Sequence, residues 1–557
     1  MAPSAAGPGG ATGVAEAPGQ EQGDVTVPLS PLPAPPAPRP PPAMLLPESP
    51  FPRRALAALD SLAWGLLAPS VWAVNGLLDL RPTTAERGRW RCCGCAARAV
   101  AAPVYAALLL LTLPLAALGL LLWLPVQATR RPFVYQYTAG TAPAEPWELR
   151  QRRTFTFLTA NLCLLPSGLA KFSNLGQTPR RAAAIARRLA PASPRPHRGH
   201  RAGLVEPRHG QASSYGGTLC TTPRPPGSVT VEVETEPVTT EPVMTEPTVA
   251  EPMVAEPAAS LAERFPSDAD FVCLQEVFDA GAAAILRRRL SGTFPHLLWG
   301  VGGRGLRGGA LKLLDSGLLL ASRYPLLAAR YHGFPNGARE DALAAKGLLV
   351  AQVLLGSARG RRVVGYLGCT HLQAPAGDGR IREAQLTLAL GWLRLFREEQ
   401  EQRGDVVAFD VFCGDLNFDN CSPGDEPTQR HRLFEAYRDP CRRAPGQEEP
   451  WAIGTLLDHL RIYEEPVSTP EKMKRTLSQP GGRQRYLAGP ILASGQPAPL
   501  APGPWHGRRL DYVLFRQPPG DPPLRTEVAA VSFVTQLATL SDHLPVALRL
   551  RVAPAGP

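Results

Sequence analysis

The hydrophobic pattern changes character along the chain. Near the front, residues 61–78 (SLAWGLLAPSVWAVNGLL) and roughly 100–126 (VAAPVYAALLLLTLPLAALGLLLWLPV) are apolar and carry no charge. The second is long enough to cross a hydrocarbon layer of about 30 Å as a helix. The first is marginal in length. Pro69 and Pro114 interrupt the two near their centres, which leaves two arrangements open: a pair of true spans, or a hairpin that enters and leaves by one face. Further on the apolar runs are shorter and rich in β-branched and aromatic residues. Runs at 154–166, 270–278, 316–326, 347–355, 362–372, 406–418, 509–515 and 543–552 predict strands. Helical patterns follow Arg180 (RRAAAIARRLA) and cover 381–403, so packed sheets covered by helices are expected.

Two regions have no periodicity. Residues 1–50 read as a disordered Pro/Ala-rich arm, and 191–258 as a disordered insertion whose latter part repeats Glu-Pro every five residues, at Glu236, Glu241, Glu246, Glu251 and Glu256. The organisation expected is therefore an arm (1–50), a membrane hairpin (51–131), the first part of a globular domain (150–190), the insertion, and the main part of that domain (259–553).

Charge sharpens the membrane reading. Arg53 and Arg54 precede the first apolar stretch, Arg81, Arg87, Arg89, Arg91 and Arg98 lie between the two, and Arg130 and Arg131 follow. Positive flanks stay on the cytosolic side, which puts all three connections there and favours the hairpin. Cys92, Cys93 and Cys95 sit among these arginines and are candidate acyl acceptors; three unmodified loop thiols are the plain alternative. The ten cysteines show no disulfide or zinc spacing, which points to a reducing compartment. A net charge of +11 suits an anionic partner without selecting one.

Several polar residues close apolar runs: Asn161, Glu276, His371, Asp415 with Asn417, Asp511, and Asp542 with His543. Taken singly, each is most simply a surface charge, a satisfied core histidine or the partner of a nearby arginine. Their repeated placement at strand ends is the signature of an active site built on one edge of a rigid scaffold, with the C-terminal ends of the strands expected to supply them.

The phrases LQEVF, GDLNFD, LDYVLF and SDHLPV resemble the metal-dependent phosphodiesterase superfamily that includes DNase I. Within it TANLCLLP, FVCLQEVFD, LLASRYPL, GCTHLQAP, YRDPCR, PWAIGTLLD and SFVTQLATLSDHLPVA are similar to the membrane-attached neutral sphingomyelinases, in particular their mitochondria-associated branch. The likeness runs from the apolar hairpin to the last strand and omits only the arm and the insertion. It implies an α/β fold, the DNase I-like four-layer sandwich of two packed mixed sheets flanked by helices, and hydrolysis of sphingomyelin to ceramide and phosphocholine. It implies Mg²⁺ as cofactor, with Mn²⁺ as a substitute, and no nucleic-acid partner; the basic flanks of the hairpin predict anionic phospholipids such as phosphatidylserine as activators. The location implied is the mitochondrial inner membrane and the endoplasmic reticulum membrane, with the catalytic domain facing the cytosol.

That chemistry matches the residues. Hard oxygen donors suit Mg²⁺, so Glu276 with Asn161 is a sufficient protein contribution. His543 is the candidate general base, with Asp511 fixing its tautomer. Asn417 and Asp415 are candidates for a phosphoryl oxygen and for water or leaving group, His371 for the phosphate from the other side, and Asp542 for the metal or its surroundings. The superfamily supports either Asp415 or His543 as base. In the resembling family an Asp and a Lys five residues apart form a switch, and Asp341 with Lys346 match that spacing. Other members of the scaffold fit less well. An inositol phosphatase would carry a PxWCDR phrase where RRLDYVLF stands, a nuclease would need a basic aromatic track outside the site, and neither explains the hairpin. A catalytically dead lipid-binding scaffold would not keep a competent residue at every position.

Overall fold

The structure, a computed structural model, describes residues 46–89, 93–139, 146–147, 151–191, 258–500, 505–517 and 524–554. The arm before residue 46, nearly all of the insertion, and the side chains of Cys92, Cys93 and Cys95 lie outside the described residues.

The chain begins with helices α1 (Arg54–Asp79), α2 (Thr84–Arg89) and α3 (Cys93–Ala128). α1 and α3 form an antiparallel pair along a seam of small side chains. Ala63, Ser70 and Ala73 are buried in it, Ser70 and Thr112 share a hydrogen bond of 2.7 Å, and Gly119 lies against Leu66 and the Ala63 carbonyl. Seams of this kind suit helices associating in lipid, where close backbone approach and hydroxyl pairing replace the hydrophobic drive. The opposite surface is greasy and exposed, with Leu62, Trp72, Val104, Leu110, Leu111 and Leu121 outward.

Both ends of this hairpin rest on the rest of the chain. At one end the Gly168 amide donates to Asn75 Oδ1 at 2.8 Å, Lys171 pairs with Glu86 at 2.6 Å, and Asn174 donates to Thr84 Oγ1 at 2.8 Å. At the other, Arg307 donates to the Gln127 carbonyl at 2.8 Å and the Tyr135 amide to the Pro47 carbonyl at 2.7 Å.

Next come β1 (Val134–Tyr137), β2 (Arg153–Asn161), α4 (Ser167–Ala170), α5 (Thr178–Leu189), β3 (Ala258–Ala262), β4 (Phe271–Gln275), α6 (Ala280–Leu290), β5 (His296–Trp299) and the short ribbon β6 (Gly305–Arg307) and β7 (Ala310–Lys312). β8 (Leu319–Ser322), β9 (Leu326–Gly333), β10 (Gly347–Ala358), β11 (Arg361–His371), α7 (Gly379–Gln400) and β12 (Val406–Asp415) follow, then the ribbon β13 (Arg442–Ala444) and β14 (Gln447–Glu448), β15 (Asp511–Phe515), β16 (Leu524–Val534) and β17 (Val546–Pro554).

Two sheets result, one ordered β1-β5-β8-β4-β2-β17-β16-β3 and the other β15-β12-β11-β10-β9. Alternation along β2 explains how they pack. Phe155 and Phe157 point between the sheets, where Phe157 stacks on Phe271 and both meet Phe409 edge-to-face, while Leu158 and Ala160 point outward to α5 and α6. α7 covers the other sheet through Leu386, Ala389, Leu393 and Phe396. The expected four layers are present. Each buried phenylalanine contributes about 2 to 3 kcal/mol, so this aromatic cluster is a main fastener of the sheets.

One expectation is corrected. Asn161, His371 and Asp415 end their strands, but Asp511 opens β15 and Asp542 and His543 precede β17. β15 runs antiparallel to β12 and β17 antiparallel to β2, so strand starts and strand ends share one edge.

Candidate active site

Sheet register brings the residues together. β2 and β4 are parallel with Asn161 beside Gln275, β11 and β12 are parallel with His371 opposite Asp415, and Asp511 faces Asp415 from β15. The two sheets therefore present Asn161 and Glu276 on one side of a cleft and His371, Asp415 and Asp511 on the other. The close approach of β11 and β12 needs Gly414, whose φ is +145° and whose missing Cβ would collide with the Thr370 carbonyl. Immediately beyond the strands Glu276 and Asn417 adopt left-handed backbone, at φ +58° and +53°. Such conformations cost about 1 to 3 kcal/mol each and persist only where the surroundings enforce them. Here the Leu164 amide donates to the Glu276 carbonyl at 2.9 Å and the Asn417 amide to Asp415 Oδ1 at 2.9 Å.

Asn161 is the central connector. Its Nδ2 donates to Glu276 Oε1 at 3.0 Å and to Asp415 Oδ2 at 2.9 Å, while its Oδ1 accepts from the Cys163 amide at 3.0 Å. The two carboxylates are thereby held together inside the protein. Burial, reinforced by the Asp542 carboxylate, pushes the Glu276 pKa up to about 7 against the lowering influence of Asn161, Lys346 and His543. Burial also raises Asp415, to about 6, with His543 opposing and Asp511 assisting.

The histidines divide. His543 Nδ1 and Asp511 Oδ2 are 2.7 Å apart, and His543 Nε2 lies 3.9 Å from Asp415 Oδ2. Burial works to lower the imidazole pKa, but Asp511 and Asp415 outweigh it and the net direction is strongly upward. His371 is held far below its ordinary range by burial and by the charges of Lys346 and His543. Lys346 Nζ explains the tautomer: it donates to Asp341 Oδ2 at 2.8 Å, to the Leu372 carbonyl at 3.0 Å and to His371 Nε2 at 3.1 Å, so that ring nitrogen presents a lone pair.

Every candidate except the three cysteines is thus placed on or beside one cleft. Asn417 turns its Nδ2 to the Leu372 carbonyl at 3.1 Å. Asp341 also accepts from the Ala374 amide at 2.6 Å, and its pairing to Lys346 is buried. Thr455 was missed by sequence reasoning. Its hydroxyl accepts from the Leu510 and Asp511 amides at 2.9 and 3.1 Å, and its carbonyl accepts from the Leu544 amide at 2.8 Å. It fastens the two halves of the His543–Asp511 pair to each other. PWAIGTLLD is the phrase that contains it, but nothing in a lone Thr announces such a role.

The donor set fits a hard divalent cation. Glu276, His371 and Asp415 offer ligand atoms within 4.8 Å of one another, as do Asp415, Asp511 and His543. Buried Asp511 Oδ1 and Asp542 Oδ1 have no hydrogen-bond partner among the described residues. A buried carboxylate oxygen left unfilled is costly unless a positive charge joins it.

Similarity to known proteins agrees with this geometry. Residues 254–543 match the Endonuclease/Exonuclease/phosphatase family, and residues 55–129 match the neutral sphingomyelinase N-terminal transmembrane region. The chain is 39% identical to sphingomyelin phosphodiesterase 5 of Danio rerio over 542 residues, spanning 92% of this chain and 99% of that one. Identity to sphingomyelin phosphodiesterase 5 of Mus musculus is 42% over 510 residues, 90% and 94% of the two chains, and to human sphingomyelin phosphodiesterase 3 it is 34% over 649 residues, 92% and 99%. With a DNase I-like sandwich, an apolar hairpin docked on it and relatives that match both parts together, the chain belongs to the neutral sphingomyelinase family.

Proposed function

We propose that this protein is a membrane-attached phosphodiesterase that hydrolyses sphingomyelin to ceramide and phosphocholine. The observation that carries the reading is the convergence of Asn161, Glu276, His371, Asp415, Asp511 and His543 on one edge of the sandwich. Glu276 is the principal ligand of Mg²⁺, for which Mn²⁺ can substitute, and Asn161 holds its carboxylate in place. A divalent cation there supplies positive charge to the nonbridging phosphoryl oxygens.

Asp511 orients His543 and raises its basicity, so that Nε2 takes a proton from the attacking water. His371 turns its Nε2 toward Glu276, Asp415 and Lys346, which puts that nitrogen beside the phosphate position. Asp415 orients the water or the leaving alkoxide, and Asn417 steadies the loop beyond it. Asp341 and Lys346 act as the switch: in the active arrangement Asp341 releases a block on the substrate pocket while Lys346 engages Asp341 or the phosphate. Cys92, Cys93 and Cys95 are acylation sites.

The substrate is insoluble, and the hairpin brings the cleft to it. Because both hairpin ends are seated on the sandwich, the arrangement favours insertion into one leaflet over a crossing, with the catalytic domain facing the cytosol. The basic flanks recruit anionic lipids such as phosphatidylserine as activators. The mitochondrial inner membrane and the endoplasmic reticulum membrane are the compartments to examine by fractionation.

The test is turnover of labelled sphingomyelin by the purified full chain in mixed micelles. Ceramide release that requires Mg²⁺ and rises with phosphatidylserine is expected. Release that survives chelation removes the cation role, and indifference to phosphatidylserine removes the activator.

A further inference from the structure

The ribbon of β6 and β7 lies against the C-terminal end of α3, and its alternation is inverted. Gly305, Arg307 and Lys312 share the face turned to the protein. Gly305 is buried against Gln127, Arg307 donates to the Gln127 and Arg130 carbonyls at 2.8 and 3.4 Å, and the Lys312 ammonium donates to the Ala342 carbonyl at 2.7 Å in a residue only 9% exposed. Leu306 and Leu311, a cross-strand pair, take the opposite face, and Leu306 is 62% exposed. Beside them Leu313 and Leu343 are also exposed, held together by the Leu343 carbonyl, which accepts from the Leu313 and Leu314 amides at 2.8 and 3.1 Å. A ribbon that faces water runs the other way, with its apolar side chains in and its charged ones out. Scattered single leucines on a surface are ordinary, but a ribbon that turns its cations inward to present leucines outward is stable only where a second apolar phase covers it.

The patch continues the greasy surface of the hairpin. A Cβ at Gly305 would lie 3.7 Å from the Leu124 carbonyl, three residues beyond Leu121, which is 70% exposed. α1 brings Leu59 and Leu62 outward at the same end, where Gln127 donates to Asp60. We propose that Leu306, Leu311, Leu313 and Leu343 form a second lipid-contact surface, on the globular part of the chain, that settles into the same leaflet as the hairpin. The occupant is a lipid interface because the patch adjoins the segment matched to a transmembrane region. A short ribbon of leucines reaches the boundary between headgroups and acyl chains and goes no deeper. Lys312 ties the ribbon to the turn Arg339–Leu343, which carries Asp341, so this contact sets the height of that rim of the cleft above the lipid.

The experiment places the photocrosslinking residue p-benzoylphenylalanine at one position of the full chain, reconstituted into phosphatidylcholine vesicles that contain phosphatidylserine. The positions are Leu306, Leu313, Leu110 on the hairpin, and Arg359 in the exposed turn between β10 and β11, away from the cleft. Lipid adducts at Leu306 and Leu313 are expected within a few-fold of those at Leu110 and at least about tenfold above those at Arg359. Adducts no more abundant than at Arg359 overturn the surface. Adducts to protein in place of lipid overturn it too, by giving the patch to another chain, and so does a lack of lipid adducts at Leu110, because the surface that the patch continues is then not in lipid. A second measurement starts from a chain whose hairpin face carries Leu110→Asp and Leu111→Asp. Adding Leu306→Glu and Leu313→Glu should lower its residual vesicle flotation by roughly a further tenfold, and unchanged flotation overturns the proposal. Both readouts are of lipid contact and not of turnover, so failure here is distinct from failure of the sphingomyelin reading.

Discussion

The hairpin and the cleft depart from the ordinary rules of a water-soluble protein in opposite directions. α1 and α3 leave Leu110, Leu111, Leu121 and Trp72 outside and bury a seam of Ala, Ser and Thr. The cleft buries Glu276, Asp415, Asp511 and two histidines with some of their polar atoms unanswered. Each arrangement is costly in water alone and makes sense with a partner, lipid in one case and a cation with a phosphodiester in the other. The two partners are separable, so the regions should fail separately.

The largest effect expected is on chemistry. His543→Asn keeps a donor for Asp511 and removes the base, so kcat should fall by about two to four orders of magnitude while membrane binding is unchanged. Near-normal turnover in a stopped assay would move the base to Asp415. Next, Glu276→Gln should cost on the order of a hundredfold in activity and remove most divalent-cation binding measured by calorimetry, because the principal charged ligand is lost. A third variant tests the other region. Leu110→Asp with Leu111→Asp puts charge on the exposed face, and vesicle flotation should fall by roughly tenfold or more while hydrolysis of a soluble chromogenic diester is retained. Parallel loss of both would mean that the hairpin is part of the fold and not only an anchor.

The smallest effect is a pH slope. Glu276, with its pKa near 7, must lose its proton to serve as a ligand. Below that pH cation affinity should weaken by up to about tenfold per unit, with one proton released on binding, and above it affinity should level off. A flat affinity between pH 5.5 and 7 would mean that Glu276 is already ionised or is not the ligand.

What sequence showed of these regions follows from their physics. The hairpin is written in composition, since nothing but lipid rewards so many uncharged residues in a row. β2, β4, β10, β11 and β12 were legible because burial on both faces leaves continuous apolar runs. β16 was not, since its faces alternate irregularly between buried and exposed positions. Strand direction left no trace either. Alternation tells which face a residue takes but not which way the chain runs, so the placement of Asp511, Asp542 and His543 at strand starts emerged only from the sheet pairings. The bond from Lys346, just before β10, to His371 at the end of β11 joins residues 25 positions apart, which no local pattern encodes.

The seating of both hairpin ends on the sandwich bears on how the protein is made. Arg81, Arg87 and Arg98, carried through hydrocarbon, would each cost at least a few kcal/mol. On the proposed one-leaflet insertion, a hairpin tied at both ends to one folded body keeps its connection on that body's side of the membrane. Biogenesis then calls for no translocation of the connection: the sandwich can fold first, and the greasy surface can settle into the leaflet afterwards.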